Sequence, residues 1–205
     1  MGPVFAVVLA AGASQRLGQP KPMVTVVHRE IDSEGAESSS EIPLIRWLVE
    51  RLEKSGVETI IVTRQDLVVS MMMTLPDRTV VVNSNPMAGR TGTLQCGIRA
   101  ILDSKKKPKN FRLLVVPVDR PGFSESTLIA LLESDHSACP SKNRRGGHPL
   151  LLMSEDIGQI MNANPEQQLR ELTNPIRINV VDEHLHFNLD TADDLANLNS
   201  VINSI

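Results

Sequence analysis

Residues Leu9–Lys21, reading LAAGASQRLGQPK, constrain this chain more than any other stretch. The run leading into them, Val4–Leu9, is short, apolar and rich in valine. Such a run, closed by a turn of small residues, suits a strand buried on both faces of a parallel sheet. Ala10, Ala11, Gly12, Ala13 and Ser14 then let a backbone approach a ligand closely and present its N–H groups. Two cations follow, Arg16 and Lys21, with Gly18 between them. A polyphosphate needs these parts: amides to hold its oxygens and fixed positive charge to offset its phosphates.

The spacing excludes two common phosphate loops. A Walker loop places four residues between its first glycine and Gly-Lys-Ser/Thr, whereas five residues separate Gly12 from Gly18 and Gln19 follows. The dinucleotide fingerprint Gly-x-Gly-x-x-Gly is absent as well. The stretch instead resembles the signature of the nucleotidyltransferases of molybdenum cofactor biosynthesis, Leu-Ala-Ala/Gly-Gly-x-Ser-x-Arg-Met/Leu-Gly-x-x-Lys. Leu9, Ala10, Ala11, Gly12, Ser14, Arg16, Leu17, Gly18 and Lys21 fill every specified position.

Four further segments carry the resemblance. Asn83, the Gly89–Gly92 loop and Thr93 are similar to the family's Asn-loop-Gly-x-x-Ser-Leu segment, with Gly92 or Gly89 as its glycine and Thr93 as its hydroxyl. Thr93 equally suits a helix cap. Asp119-Arg120-Pro121 matches an Asp-x-Pro whose aspartate holds a divalent metal in the family. It follows the strand Arg112–Val116, where open α/β sheets bind their ligands. Gly146-Gly147-His148-Pro149 resembles an element lining the acceptor side, which makes Gly147 and His148 candidate acceptor contacts. Asn188-Leu189-Asp190-Thr191 resembles Asp-Ile-Asp-Thr, with Asn188 in place of the first acid. Asp190 or the Asn188 carbonyl is then the second metal ligand. One departure bears on the acceptor: Asn162–Gln167 replaces a common Gly-Asp-x-Gly-x-Arg.

The implied fold is a three-layer α/β/α, Rossmann-like, mainly parallel sheet of the nucleotide-diphospho-sugar transferase type. Alternating strands and helices agree with it. Strands are expected at Val57–Val62, Thr79–Val82, Leu150–Met153 and Ile176–Val181. Helices are expected at Pro43–Ser55, Thr93–Leu102, Ser124–Leu132, Ser154–Met161, Pro165–Thr173 and Ala192–Ile202. With 205 residues and no evident repeat, residues 1–205 read as one domain. The acidic, serine-rich residues 28–41 read as an inserted surface loop, and Lys105–Lys109 as a solvated turn.

Function follows from the resemblance. The chain is expected to be a Mg²⁺-dependent nucleotidyltransferase. It would move a nucleoside monophosphate to a phosphorylated small-molecule acceptor such as molybdopterin and release pyrophosphate. Leu9–Gly12, Ser14, Arg16, Lys21, Gly92, Thr93 and Asp119 would bind nucleotide; Arg16, Lys21 and Asp119 would serve catalysis; Asp119 and Asp190 would hold metal. Ala10-Ala11 resembles the cytidylyl branch and favours CTP over GTP. A guanylyltransferase, a sugar-phosphate nucleotidyltransferase and a non-catalytic cofactor chaperone are the alternatives. Transient contact with a molybdoenzyme or its chaperone is a further implication.

Composition narrows the rest. A net charge of −3 and 2% aromatic residues argue against nucleic acid as a partner. Cys96 and Cys139 form no Cys-x-x-Cys pair and read as reduced, packed thiols. Val4–Ala13 is too short to span a bilayer and no Lys or Arg precedes it, so a cytoplasmic protein without a membrane partner is expected.

Overall fold

The computed structural model describes residues 2–31, 37–105 and 108–205. Its strands are β1 (Val4–Ala10), β2 (Thr25–Ile31), β3 (Glu37–Pro43), β4 (Glu58–Thr63), β5 (Thr79–Val82), β6 (Arg112–Pro117), β7 (Ala138–Lys142), β8 (Arg145–Gly146), β9 (Leu150–Leu152) and β10 (Ile176–Asn179). Its α-helices are α1 (Leu44–Lys54), α2 (Val68–Thr74), α3 (Gly89–Leu102), α4 (Glu125–Leu132), α5 (Ser154–Asn162), α6 (Leu169–Leu172) and α7 (Ala192–Ile202).

β1 is central because both of its faces are apolar. Phe5, Val7 and Leu9 enter one hydrophobic cluster, and Ala6, Val8 and Ala10 enter the other. β4 and β6 flank it in parallel, in register Val7↔Ile60 and Val7↔Val115. The eight-stranded sheet runs β10-β7-β9-β6-β1-β4-β5, with β8 on β7. β9 is antiparallel to β6 and to β7, and β8 to β7. α1, α2, α4 and α7 bury side chains against one face, and α3 and α5 against the other. Each fully buried Leu, Ile or Val contributes roughly 1.5–3 kcal/mol by leaving water. This is the expected three-layer, mainly parallel architecture.

α3 lies unusually close to the sheet. A Cβ on Gly97 would stand 2.6 Å from Val7 Cγ1 and 3.1 Å from Val62 Cγ2, so only glycine fits. The helix is thereby set tightly on β1 and β4, with its first turn at their carboxyl ends.

Several expectations need correction. α3 begins at Gly89, so Gly89–Gly92 is helix and not loop. The segment expected to be helical over Pro165–Thr173 is helical only at α6. Its first residues are pinned to α3 instead: Gly92 N donates to Pro165 O (3.0 Å) and Thr91 Oγ1 to Gln167 O (2.6 Å). β7 was hidden by Pro140, which cannot donate to a ladder. It is tolerated because β7 meets β9 only at Ala138 and β8 only from Ser141 onward. Of three adjacent methionines, Met71 is fully buried while Met72 and Met73 are exposed.

The largest correction concerns residues 28–41. Within the described residues this stretch is not a loop. β2 and β3 form an antiparallel hairpin in register from Thr25↔Pro43 to Ile31↔Glu37. Residues 32–36 of the expected loop, and 106–107 of the basic run, lie outside the described residues. The hairpin is rooted in the core by Val24, Val26 and Ile42, and Val27 N donates to Asn199 Oδ1 of α7 (2.9 Å). Farther out Ser38, Ser39 and Ser40 are exposed, so the polar sequence carried no two-residue alternation to read. Ile42→Ala should therefore lower unfolding free energy by about 2 kcal/mol or more. Ser39→Ala should change it by less than about 0.5 kcal/mol. Urea denaturation measures both, and equally small effects would mean that the hairpin root is not packed.

Candidate active site

The segments following β1 and β6, the residue before α7's cap and the first turn of α3 meet at the carboxyl edge of the sheet. They enclose a cleft of about 320 Å³. Leu9, Ala10 and Ala11 form its buried base. The loop beyond them is shaped by two left-handed residues, Ser14 (φ 53°) and Gly18 (φ 73°). Ser14 O accepts from Leu17 N (3.2 Å) and Gly18 N (3.3 Å), and Ser14 Oγ accepts from Lys21 N (3.1 Å). Ser14 thus latches the loop and brings Lys21 back over the sheet edge. Nothing lies within 4 Å of where a Cβ on Gly12 would sit, so the backbone there is open to a ligand.

Asp119 and Asp190 are brought together by backbone bonds. Val118 N donates to Leu9 O (3.2 Å), which ties the end of β6 to the end of β1. Leu189 N donates to Asp119 O (3.0 Å), which places Asp190 beside Asp119. Asp190 N and Thr191 N donate to Asp194 Oδ2, and Thr191 Oγ1 accepts from Asp194 N, a capping box that starts α7. Helix capping does not occupy Asp119 either, because Ser124 caps α4 itself and Ser124 N donates to Asp182. Asn188 is not among the residues lining the cleft.

The two carboxylates share one cation. Lys21 Nζ lies 3.3 Å from Asp119 Oδ2 and 3.0 Å from Asp190 Oδ1, and Arg16 Nη1 lies 2.6 Å from Asp190 Oδ2. The hydrogen bond from Lys21 holds the Asp190 carboxyl below the usual carboxylate range, with the charges of Lys21 and Arg16 adding to it. Lys21 is only 12% exposed, whereas Arg16 is 76% exposed and free to reorient toward a ligand.

Two residues expected at the nucleotide, Gly92 and Thr93, are placed differently with respect to the cleft. Gly92 does not line the cleft; it packs on the neighbouring segment, where an added Cβ would stand 3.1 Å from Pro165 Cβ. Gly89 lines the cleft in its place. Thr93 lies in the cleft wall but does not cap α3. Its hydroxyl donates back to Gly89 O (2.9 Å) and accepts from the buried Asn83 Nδ2 (3.0 Å).

A second cleft, of about 670 Å³, adjoins the first and shares Leu9, Gly89, Arg90 and Pro117 with it. Gly147 and His148 line it, together with Glu166 and Gln167 of the altered 162–167 edge. Gly147 also serves packing, since a Cβ there would stand 2.8 Å from Leu185 Cγ. Burial, then the charges of Arg90 and Arg120, push the His148 imidazole down to about 4. It is therefore neutral at pH 7 and a weak base. A third groove, about 720 Å³, lies at the opposite end of β1 and β6 and holds none of the residues singled out above.

Sequence reasoning missed Arg64 and Arg90. Arg64 Nη1 donates to Gly12 O (2.6 Å) and so clasps the phosphate-type loop. Its position just past β4 was the available signal, because strand ends carry ligands in such sheets. Arg90 was concealed by the reading of Gly89–Gly92 as loop.

Residues 6–182 match the MobA-like NTP transferase domain. The chain belongs to that family. It is accordingly an enzyme domain of the nucleotidyltransferase type, with a nucleoside triphosphate as substrate. Rv0371c from Mycobacterium tuberculosis H37Rv superimposes with a TM-score of 0.71 at 16% identity, over 97% of this chain and 98% of that one. That protein has also been solved in complex with manganese, at a TM-score of 0.68 and 15% identity, over 97% and 98%. Molybdopterin-guanine dinucleotide biosynthesis protein A from Archaeoglobus fulgidus superimposes at 0.66 and 16% identity, over 98% and 99%. 4-Diphosphocytidyl-2C-methyl-D-erythritol synthase does so at 0.64 and 15% identity, over 98% and 99%. At these identities the likeness is one of fold. No curated protein sequence matches the chain. Among the described residues no helix is long and apolar enough to cross a membrane.

The depressed His148 gives a signed pH dependence. Its folded value, about 4, lies below the ordinary 6.5, so the unfolded chain takes up this proton first. The stabilisation is complete above about pH 6.5 and is lost as pH falls toward 4. Urea unfolding at pH 7 and 4.5 should show a larger loss for the native protein than for His148→Gln. Equal losses would place His148 in an ordinary solvated setting.

Proposed function

We propose that residues 1–205 act as one nucleotidyltransferase domain that transfers a nucleoside monophosphate, from CTP by preference, to a phosphorylated small-molecule acceptor such as molybdopterin. Pyrophosphate is the second product. The observation that carries this reading is the convergence of Lys21, Asp119 and Asp190 in one cleft beside Gly12, continuous with a second cleft. The first cleft takes the triphosphate and the second takes the acceptor.

The donor set suits a hard divalent cation, proposed as Mg²⁺. The carboxylates of Asp119 and Asp190 both reach Lys21 Nζ, so they converge on one point of the cleft. That matches an ion held by one or two carboxylates, with water and phosphate oxygens completing its shell. Asp119 and Asp190 would hold it, and it would neutralise charge developing on the phosphates. The Lys21 ammonium, now shared by both carboxylates, would then turn to the phosphate oxygens. Arg16 and the open backbone at Gly12 would meet the remaining triphosphate charge. The acceptor oxygen attacks the α-phosphorus in line and pyrophosphate leaves. Positioning and charge stabilisation suffice, and the neutral His148 is not needed as a base. The preference for CTP rests on Ala10-Ala11, which form a close, buried base for the cleft. Delivery of the product to a molybdoenzyme or its chaperone would follow.

Pyrophosphate release across a panel of nucleoside triphosphates and phosphorylated acceptors tests the proposal. Lys21→Ala should slow turnover by roughly 10²–10³, the cost of about 3–4 kcal/mol of transition-state stabilisation. Asp119→Asn and Asp190→Asn should each abolish metal-dependent turnover while weakened nucleotide binding persists. Near-normal turnover in these variants would overturn the mechanism. A clear GTP preference would move the chain to the guanylyl reading. Cofactor binding without pyrophosphate release from any pair would make it a non-catalytic carrier.

A further inference from the structure

The wall between the two clefts carries a cation that nothing above has used. Arg90 lines both clefts, one residue into α3. Among the described residues it forms no ion pair and no hydrogen bond through its side chain, and it is exposed. No acidic residue occupies the first turn of α3. A cation there opposes the helix dipole, so stability gives no reason for it. Two buried polar atoms lack partners nearby, Nδ1 of His148, which lines the second cleft, and Nε of Arg120, which lines neither. Arg120 is held in place by a bond from Nη1 to His186 O (3.2 Å). Arg90, Arg120 and His148 lie within one another's electrostatic reach. The second cleft as a whole is cationic, with Arg90, Arg170 and Arg177 against Glu166 alone.

We propose that Arg90, with the Arg120 guanidinium adding charge nearby, forms the seat for the acceptor's phosphate at the junction of the two clefts. The neutral His148 lines the second cleft beside it. The inference rests on the two-cleft reading of the preceding section. A dianion at this point would pair with an unpartnered guanidinium and offset charge that the site otherwise leaves exposed. It would also meet the positive end of α3. From the shared wall its oxygen would face the nucleotide side across Pro117 and Gly89. Lysine would not replace Arg90 fully, because the planar guanidinium can bind two phosphate oxygens at once.

The test uses the full chain without nucleotide, and inorganic phosphate as the probe. Resonances of the His148 ring, assigned with His148→Gln, are followed by NMR as phosphate is added. His148 lines only the second cleft, so it does not report phosphate held at Arg16 and Lys21. Phosphate should shift the His148 signals in a saturable way. Arg90→Met should weaken that binding at least tenfold, and Arg90→Lys should recover part of it. Because Arg90 is exposed and unpaired, circular dichroism and thermal melting should show both variants folded. CTP binding with Mg²⁺, read by calorimetry, should stay within about twofold in Arg90→Met. Phosphate that leaves His148 unmoved, or binds Arg90→Met as tightly as the native chain, overturns the proposal. Equal weakening of phosphate and CTP also overturns it, by assigning Arg90 to the triphosphate. If no nucleoside triphosphate binds the native chain, the donor reading fails, and the phosphate titration still decides the role of Arg90.

Discussion

One ammonium group holds this site in register. Lys21 follows β1, Asp119 follows β6 and Asp190 precedes α7, so residues 98 and 169 positions apart converge on a single Nζ. Without a cation between them two such carboxylates would repel each other, and one would tend to take up a proton. With it, the hydrogen bond from Lys21 holds the Asp190 carboxyl below the usual carboxylate range. The convergence is not left to side chains alone. The bonds Val118 N to Leu9 O and Leu189 N to Asp119 O fix the three backbones before any charge acts. The charges then need only choose rotamers.

That division explains why the contacts can be exchanged. Ion pairs reached by solvent contribute about 0–1 kcal/mol each. Arg16, which is 76% exposed, is held to Asp190 by little more than this. A divalent ion and a triphosphate offer far larger charges to the same groups. On the proposed reading, Lys21 and Arg16 would therefore leave the carboxylates for the phosphates without loss of the fold, because surface ion pairs contribute little to it. The strand ends, the capping box at Thr191 and the Ser14 latch persist through the exchange.

How much of this was legible in the sequence depended on whether a residue's partners were local. The Leu9–Lys21 motif was readable because its turn is closed within itself, Ser14 to Leu17, Gly18 and Lys21. Buried strands such as Val4–Ala10 and Arg112–Pro117 announced themselves by unbroken apolar runs. The hairpin of β2 and β3 did not, since its outer serines face solvent and only Val24, Val26 and Ile42 reach the core. β7 was lost to Pro140, whose missing donor falls where no ladder bond is required. Gly92, which with Gly89 was a candidate for the glycine of the resembled segment, does not line the first cleft. It does allow close approach, but to Pro165.

That close approach shows how the two clefts are coupled. Gly97 lets α3 settle on Val7 and Val62, and Gly92 lets the 162–167 segment settle on α3. Thr91 and Gly92 each bond to a carbonyl of that segment, while Gln95 Nε2 donates to Ile160 O and Ala163 O at the end of α5. One helix thus carries a wall of the first cleft on Gly89 and Thr93 and an edge of the second cleft through Thr91 and its contacts with the 162–167 segment. On the proposed reading, this shared wall would fix the separation of the two ligands, on which in-line transfer depends to within a fraction of an ångström. Under the same reading, substitutions within 162–167 would therefore alter which acceptor fits while leaving the loop after β1 untouched.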